Sequence, residues 1–283
     1  MIDLLITGVH GQLGRALERQ ARLRGLTVAG HDLDTLDIRD PAAVAELFGR
    51  LEPSTLVNCA AFTAVDACET DEATAMAVNG TAVGHLAAAC NAAGALLVHL
   101  STDYVFSGDG TSPYTESDPV APASAYGRSK LEGERLARTA GHHLIVRTAW
   151  LYGHGGANFV EAIRRQIDGG AASLRVVADQ VGSPTFCDDL AEALLNLVDS
   201  GARGVVHAAN SGSTSWHGFA VEIARRLGAE VVVRAVATAD FPRPAKRPAY
   251  SVLDTSRLAE LIGRHLPPWQ EALARYLEAR CEC

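Results

Sequence analysis

Residues 124–130 read SAYGRSK, which sets Tyr126 four places before Lys130 in a chain whose other lysine is Lys246. A phenol that titrates near ~10 exchanges protons poorly at neutral pH. A neighbouring ammonium favours the phenolate and so brings such a group toward useful proton transfer. On a helix, residues i and i+4 share a face, so both side chains can meet one ligand. A hydroxyl close by would polarise a carbonyl, and HLSTDYVF supplies Ser101 and Thr102. Together these are the parts for handling a proton at a carbonyl oxygen. A tyrosine and a lysine snorkelling over a sheet edge would leave the same pattern, so the elements around them must decide.

A second cluster lies upstream. TGVHGQLG places Gly8, Gly11 and Gly14 between an apolar run and a helical one. Glycines there permit a tight turn and let backbone approach a pyrophosphate, whose charge the helix N-terminus favours. The spacing is G-x-x-G-x-x-G, in the strand–turn–helix context that a dinucleotide site requires. An acid near the end of the second strand would bind the adenosine ribose. Asp32 stands 18 residues past Gly14, with Asp34 and Asp37 close by. A carboxylate favours the 2′-hydroxyl of NADH over the 2′-phosphate of NADPH, and no arginine or lysine occurs between Thr27 and Ile38. NADH is therefore the expected cofactor, Arg39 being the nearby cation that could turn the preference to NADPH. In NCAAFT (58–63), Ala60 and Ala61 are small enough for a cofactor to lie over the strand end. A plain helix–sheet contact would also use small residues.

The elements follow the same logic. Short apolar runs at 2–7, 26–32, 55–60, 95–101 and 143–150 read as strands. They alternate with helical patterns at 11–25, 40–53, about 66–93 and 124–140. Strands apolar on both faces and separated by helices imply a parallel sheet covered on both sides. The fold class is thus α/β, a Rossmann-like doubly wound parallel sheet. After Trp150 the rhythm changes. Helices are expected at 157–168, 187–199, 215–227, 256–263 and 268–279, with short strands near 174–178 and 204–208. Residues 238–254 carry three prolines and read as loop. The expected organisation is a dinucleotide-binding domain over 1–150 and a smaller mixed C-terminal substrate lobe over 151–283. Segments near 174–208 are expected to return to the sheet.

Composition narrows the class. The chain has 283 residues, 48% hydrophobic and 20% charged, with net charge −8. This is the composition of a globular protein, and no basic surface argues for nucleic acid. The start MIDLLITGVHG has neither a positive n-region nor a long apolar run, so no signal peptide and no membrane span are expected, and a cytoplasmic location is. Cys59, Cys68, Cys90, Cys187, Cys281 and Cys283 are scattered and read as free thiols, with the Cys-Glu-Cys tail a frayed terminus. Asp188 and Asp189 read as a helix N-terminal turn rather than a metal site.

The order GxxGxxG, Ser/Thr, YxxxK resembles the extended short-chain dehydrogenase/reductases. GQLG, VNCAAFTAVDACE, STDYVFSGDG, YGRSKLEGE, RTAWLYG, NFV, VVADQVGSPT and RPAYSVLD resemble, in order, the dTDP-4-dehydrorhamnose reductase family over nearly the whole chain. The resemblance implies reduction of the C4 ketone of dTDP-4-dehydro-β-L-rhamnose by NAD(P)H. It implies Tyr126 as general acid, Lys130 lowering its pKa and holding the ribose, and Thr102 on the carbonyl. Gly11, Gln12 and Leu13 would line the pyrophosphate. Asp32, Asp37 and Ile38 would take the adenosine side, and Ala60, Ala61 and Thr63 the third-strand side. Thr102, Asp103 and Trp150 would contact the dTDP-sugar. Some members are magnesium-bridged dimers using a carboxylate early in the first helix. Here that helix begins Arg15-Ala16-Leu17, so a monomer or homodimer without metal is expected. Two alternatives stay open. One is another nucleotide-sugar epimerase or reductase; a dehydratase would need an Asp-Glu pair where Asp103-Tyr104 stands. The other is a non-catalytic subunit resembling the regulatory subunit of methionine adenosyltransferase.

Overall fold

The computed structural model describes residues 1–279. The strands are β1 (Ile2–Thr7), β2 (Val28–His31), β3 (Pro53–Asn58), β4 (Leu96–Thr102), β5 (His143–Thr148), β6 (Leu151–Tyr152), β7 (Ser173–Val177), β8 (Val181–Gly182), β9 (Thr185–Phe186), β10 (Gly204–His207), β11 (Thr214–Ser215) and β12 (Val232–Val236). The α-helices are α1 (Gln12–Leu23), α2 (Pro41–Leu51), α3 (Val65–Thr70), α4 (Glu72–Met76), α5 (Ala82–Ala93), α6 (Ala125–Ala137), α7 (Phe159–Asp168), α8 (Cys187–Asp199), α9 (Trp216–Arg226), α10 (Ser256–Ile262) and α11 (Trp269–Glu278).

Side chains alternate across a strand, so an apolar run feeds two layers at once. Leu4 and Ile6 of β1 pack with Leu13 and Leu17 of α1 and Leu190 and Leu194 of α8. Leu5, between them, packs with Leu47 and Phe48 of α2 and Leu86 of α5. Among the described residues the main sheet has six strands in the order β10-β5-β4-β3-β1-β2, all parallel. This is the doubly wound α/β sheet expected from the sequence. Asp40 caps α2, accepting from the amides of Ala42 and Ala43, and Pro41 sits at its first position. Ser124 caps α6 by accepting from Gly127 N at 3.1 Å.

Departures from the sequence reading are local. The helical stretch around 66–93 is broken into α3 and α4, a π-helical turn at Ala77–Thr81, and α5. The strand near 174–178 forms, as β7, but pairs with β12 rather than with the main sheet. By contrast β10 joins the main sheet beside β5, and α8 packs on α1. A third core, rich in rings, holds Tyr152, Phe186, Phe219, Trp269 and Tyr276. Among the described residues, no helix is long and apolar enough to cross a membrane. The expectation for the Cys-Glu-Cys tail falls outside the described residues.

Candidate active site

The strand order reverses between β1 and β3, since the chain runs outward from β1 to β2 and then returns to the other side. Parallel sheets bind ligands at the carboxyl ends of strands flanking such a switch point. The glycine turn leaves β1 there. Gly8 has φ +70, and a Cβ on it would lie 2.6 Å from Ala60 N. A Cβ on Gly14 would collide with the Gly8 carbonyl oxygen. A cavity of about 500 Å³ opens at this point, walled by Gly8, Gly11, Asp32, Asp37, Ile38, Ala60 and Ala61. Asp32 accepts from His10 N at 2.9 Å. Arg39 forks onto Asp37, with Nε–Oδ1 at 2.9 Å and Nη2–Oδ2 at 2.6 Å. A glycine cradle that a side chain would fill, ending at a carboxylate, fits a dinucleotide.

A second cavity of about 480 Å³ continues from the first, sharing Gly8, Gly11, Cys59 and Ala61. Its walls include Gln12, Leu13, Gly14, Thr63, Thr102, Asp103, Tyr126, Lys130 and Trp150. Every residue assigned from the sequence to the catalytic, cofactor or substrate set therefore lines one of two joined cavities, while Asp34 lines neither. The Gln12 side chain also has a structural task. Its Oε1 accepts from Gly153 N at 2.7 Å and Asn158 Nδ2 at 2.9 Å, tying the glycine turn to the segment before α7.

The electrostatics are set by burial. Burial drives the Tyr126 hydroxyl well above the ordinary phenol range and the Asp103 charge pushes the same way, while a hydrogen bond with Thr102 pulls it back. Lys130 is 3% exposed, and burial lowers its ammonium to about 8 against the opposing charge of Glu134. Its Nζ donates to the Leu100 carbonyl at 2.5 Å, so the ammonium is anchored to β4. Burial raises the Asp103 carboxyl to about 6. Asp103 Oδ1 accepts from Thr102 Oγ1 at 2.9 Å. Ser251 stands beside this carboxylate but outside hydrogen-bond geometry, so Asp103 Oδ2 and Ser251 Oγ are both left without a partner. Ser101 and Thr102, equivalent candidates in sequence, diverge: Ser101 Oγ donates to Glu134 Oε1 at 2.6 Å.

Two residues of the site carried little readable signal. Trp216, opening α9, lines the second cavity and stacks on Trp150 with ring centroids 3.4 Å apart and planes 5° apart. Trp150 itself sits at φ +48, a conformation costly for a bulky residue and a mark of functional sites. Asn79, buried in the π-helical turn, accepts from Phe62 N at 2.7 Å and donates to Ser129 Oγ at 3.0 Å. It thereby joins the loop after β3 to α6. A tryptophan placed directly after the Ser215 cap was the one hint available for Trp216. Asp188 and Asp189 fall in the first turn of α8, where they pair with Arg19 and Arg275. Among the described residues, no group of three or more His, Cys, Asp or Glu side chains is arranged to hold a metal ion.

Residues 2–281 match the family described as the RmlD substrate binding domain. The chain is 44% identical over 285 residues to the dTDP-4-dehydrorhamnose reductase of Streptomyces griseus, covering 98% of this chain and 93% of that one. Its structure resembles that of a dTDP-4-dehydrorhamnose reductase from Clostridium acetobutylicum, with TM-score 0.96, 42% identity, and 99% and 100% of the two chains covered. It also resembles dTDP-4-dehydrorhamnose reductase from Bacillus anthracis in complex with NADP, with TM-score 0.95, 35% identity, and 98% and 99% covered.

Proposed function

The chain belongs to the RmlD substrate binding domain family, and on that premise we propose that it is a dTDP-4-dehydrorhamnose reductase. It reduces the C4 ketone of dTDP-4-dehydro-β-L-rhamnose to give dTDP-L-rhamnose. The observation that carries this reading is the shared wall: Tyr126, Lys130 and Thr102 line a cavity that continues from the glycine cradle. A reduced nicotinamide bound in the cleft supplies the hydride. Gly8, Gly11, Gln12, Leu13 and Gly14 hold the dinucleotide's pyrophosphate. Asp32, Asp37 and Ile38 face its adenosine, and Ala60, Ala61 and Thr63 its middle.

The chain's own groups manage the proton. Burial keeps Tyr126 protonated at neutral pH, the state a proton donor needs. Tyr126 delivers that proton to the carbonyl oxygen as negative charge develops on it. Thr102 donates a hydrogen bond to the same oxygen, and the Lys130 ammonium offsets the cost of forming a buried phenolate. Asp103 and Trp150 hold the sugar nucleotide. NADH is the preferred cofactor in this reading, because Asp32 offers a carboxylate to the ribose and Arg39 is engaged by Asp37. Residues 1–150 act as the dinucleotide domain and 151–283 chiefly as the substrate lobe. Among the described residues, the free thiols Cys59, Cys68, Cys90 and Cys187 suit a cytoplasmic location, and the chain acts as a monomer or homodimer in this reading.

The test is direct. Purified protein is mixed with dTDP-4-dehydrorhamnose and either NADH or NADPH, and loss of nicotinamide absorbance is followed. Oxidation with both, faster with NADH, is expected; no oxidation with either sinks the reading. Tyr126→Phe should lose about 10²-fold or more in kcat, the usual worth of a positioned acid. Its cofactor affinity, measured by fluorescence titration, should stay close to that of the unaltered protein. Full turnover in that variant would remove Tyr126 as proton donor.

A further inference from the structure

Helix α6 carries a third polar residue in the stripe of Tyr126 and Lys130. Glu134 follows Lys130 by four positions, as Lys130 follows Tyr126. It is 1% exposed. Its carboxylate accepts from Ser101 Oγ at 2.6 Å and from both Nε and Nη2 of Arg147 at 2.8 Å. Ser101 and Arg147 are partners in the β4–β5 ladder, and the next pair along is Thr102 and Thr148. Lys130 Nζ is fixed to the Leu100 carbonyl. The helix is therefore fastened to two consecutive residues of β4 immediately before Thr102. The seat is tight: a Cβ on Gly133 would collide with the Asn79 carbonyl oxygen and lie 2.9 Å from His99 Nε2.

A buried ion pair is a poor source of stability, because desolvation offsets the attraction and apolar residues of the same volume often do as well. What a forked carboxylate–guanidinium contact adds is direction. We propose that Glu134 is a positioning residue for the reduction: it fixes the register of α6 on β4 that sets Tyr126 against Thr102, and it is the counter-ion behind Lys130. The inference rests on the reductase reading. Among the titratable groups facing Lys130, Glu134 on its own helix is the first to oppose the effect of burial; Cys59 after β3, His99 on β4 and Tyr126 one turn back share its surroundings. Burial raises the Cys59 thiol to about 12 and holds His99 well below the usual imidazole range, so both are neutral at pH 7.

The experiment uses the scarcity of lysine. With ¹³C-labelled lysine the chain has two Cε signals, and Lys246→Arg assigns the one from Lys130. Glu134→Gln keeps the side-chain size and removes the charge. Lys130 acts as an ammonium, so its contribution is full below its pKa and lost as pH rises through it. Without Glu134 that titration should move down from about 8, and the alkaline limb of kcat should move with it. At pH 7.5 kcat should fall about 10-fold or more, with KM for the sugar nucleotide within about threefold. Glu134→Asp keeps the charge but is one methylene short of the fork, so the Lys130 titration should return toward its original position while kcat stays low. Glu134→Gln leaves Arg147 without its partner and can fail to fold. Ser101→Ala removes the strand tether without stranding a charge, and should lower kcat about fivefold, with Lys130 titrating as before. An unchanged Lys130 titration in folded Glu134→Gln overturns the counter-ion role. A Ser101→Ala enzyme within about twofold of the original kcat overturns the register role. If the unaltered protein oxidises neither cofactor with the 4-keto sugar, the reductase reading fails, and the lysine titration still reports on Glu134 and Lys130.

Discussion

Asp103 is held in the site at a cost to the fold. It is 2% exposed, one of its oxygens lacks a partner, and burial raises its carboxyl from 3.8 to about 6. The sign follows from linkage. Between those two values the folded state binds the extra proton, so stability is greatest below about 3.8 and is lost as pH rises through about 6. Above that range the deficit is constant, on the order of 3 kcal/mol at 1.36 kcal/mol per pH unit. Asp103→Asn keeps the shape and removes the charge. It should raise the denaturation midpoint at pH 8 by an amount worth about 1–3 kcal/mol and change it little at pH 4. The same variant should turn over the nucleotide sugar more slowly. Urea titrations at the two pH values, set beside kcat/KM, measure both effects; equal stability of variant and parent at pH 8 would show that Asp103 carries no such cost. A residue that weakens the fold while lining the candidate site is the expected trade at a functional position.

At the scale of elements, the two-residue ladder of β8 and β11 brackets Trp150. Gly182 pairs with Thr214, and Trp216 follows Ser215 at the end of the same ladder. A Cβ on Gly182 would lie 2.5 Å from Trp150 Cε2, with Nε1 and Cζ2 at 2.6 and 2.8 Å. The glycine backbone thus closes directly on the indole, and Trp216 stacks on one of its faces. Gly182→Ala must displace Trp150. It should raise KM for the nucleotide sugar about 10-fold, change the cofactor dissociation constant less than about twofold, and alter the near-ultraviolet circular dichroism of the stacked indoles. An unchanged spectrum and KM would mean that Trp150 is held by other contacts. This ladder also marks where sequence reading ran out. The main strands were legible because burial on both faces leaves unbroken apolar runs, and α2 and α6 as helical patterns over 40–53 and 124–140. Two-residue strands have no period to detect, and β12 is half exposed with no regular alternation. The spacing of Tyr126 and Lys130 was visible. That Glu134 is buried against Arg147, from a different element, was not, since nothing local distinguishes a buried charge from a solvated one.

Across the whole molecule, the proline-rich segment 238–254 is what the C-terminal half lays against the site. Arg247 and Arg243 both pair with Asp66 in the first turn of α3, and Ala245 N donates to Asp66 Oδ1 at 3.2 Å. Further along, Tyr250 N donates to the Gly108 carbonyl at 2.9 Å and Ser251 N to that of Val181 at 2.8 Å. The Arg247 charge also acts on the Tyr104 hydroxyl, pulling against the rise that burial gives it, and the Tyr104 ring meets that of Tyr126 edge-on with centroids 5.6 Å apart. One carboxylate thus fastens a segment with little regular structure beside Tyr126. The Arg247 guanidinium holds Asp66 below the usual carboxylate range, so this tether is in force above pH ~4 and is lost as pH falls through the lowered value. Asp66→Ala should release the segment while leaving the sheet intact. Trypsin reads that release cleanly, because Arg243 and Arg247 are each followed by proline and resist it, which leaves the Lys246–Arg247 bond as the cleavable one in the segment. When opening is fast, cleavage follows the population of the open form. Loss of a charged, partly buried tether worth about 1–2 kcal/mol should therefore speed cleavage after Lys246 roughly 5- to 30-fold. The global urea midpoint should move far less. Cleavage at the original rate would show that the backbone contacts at Tyr250 and Ser251 hold the segment without Asp66.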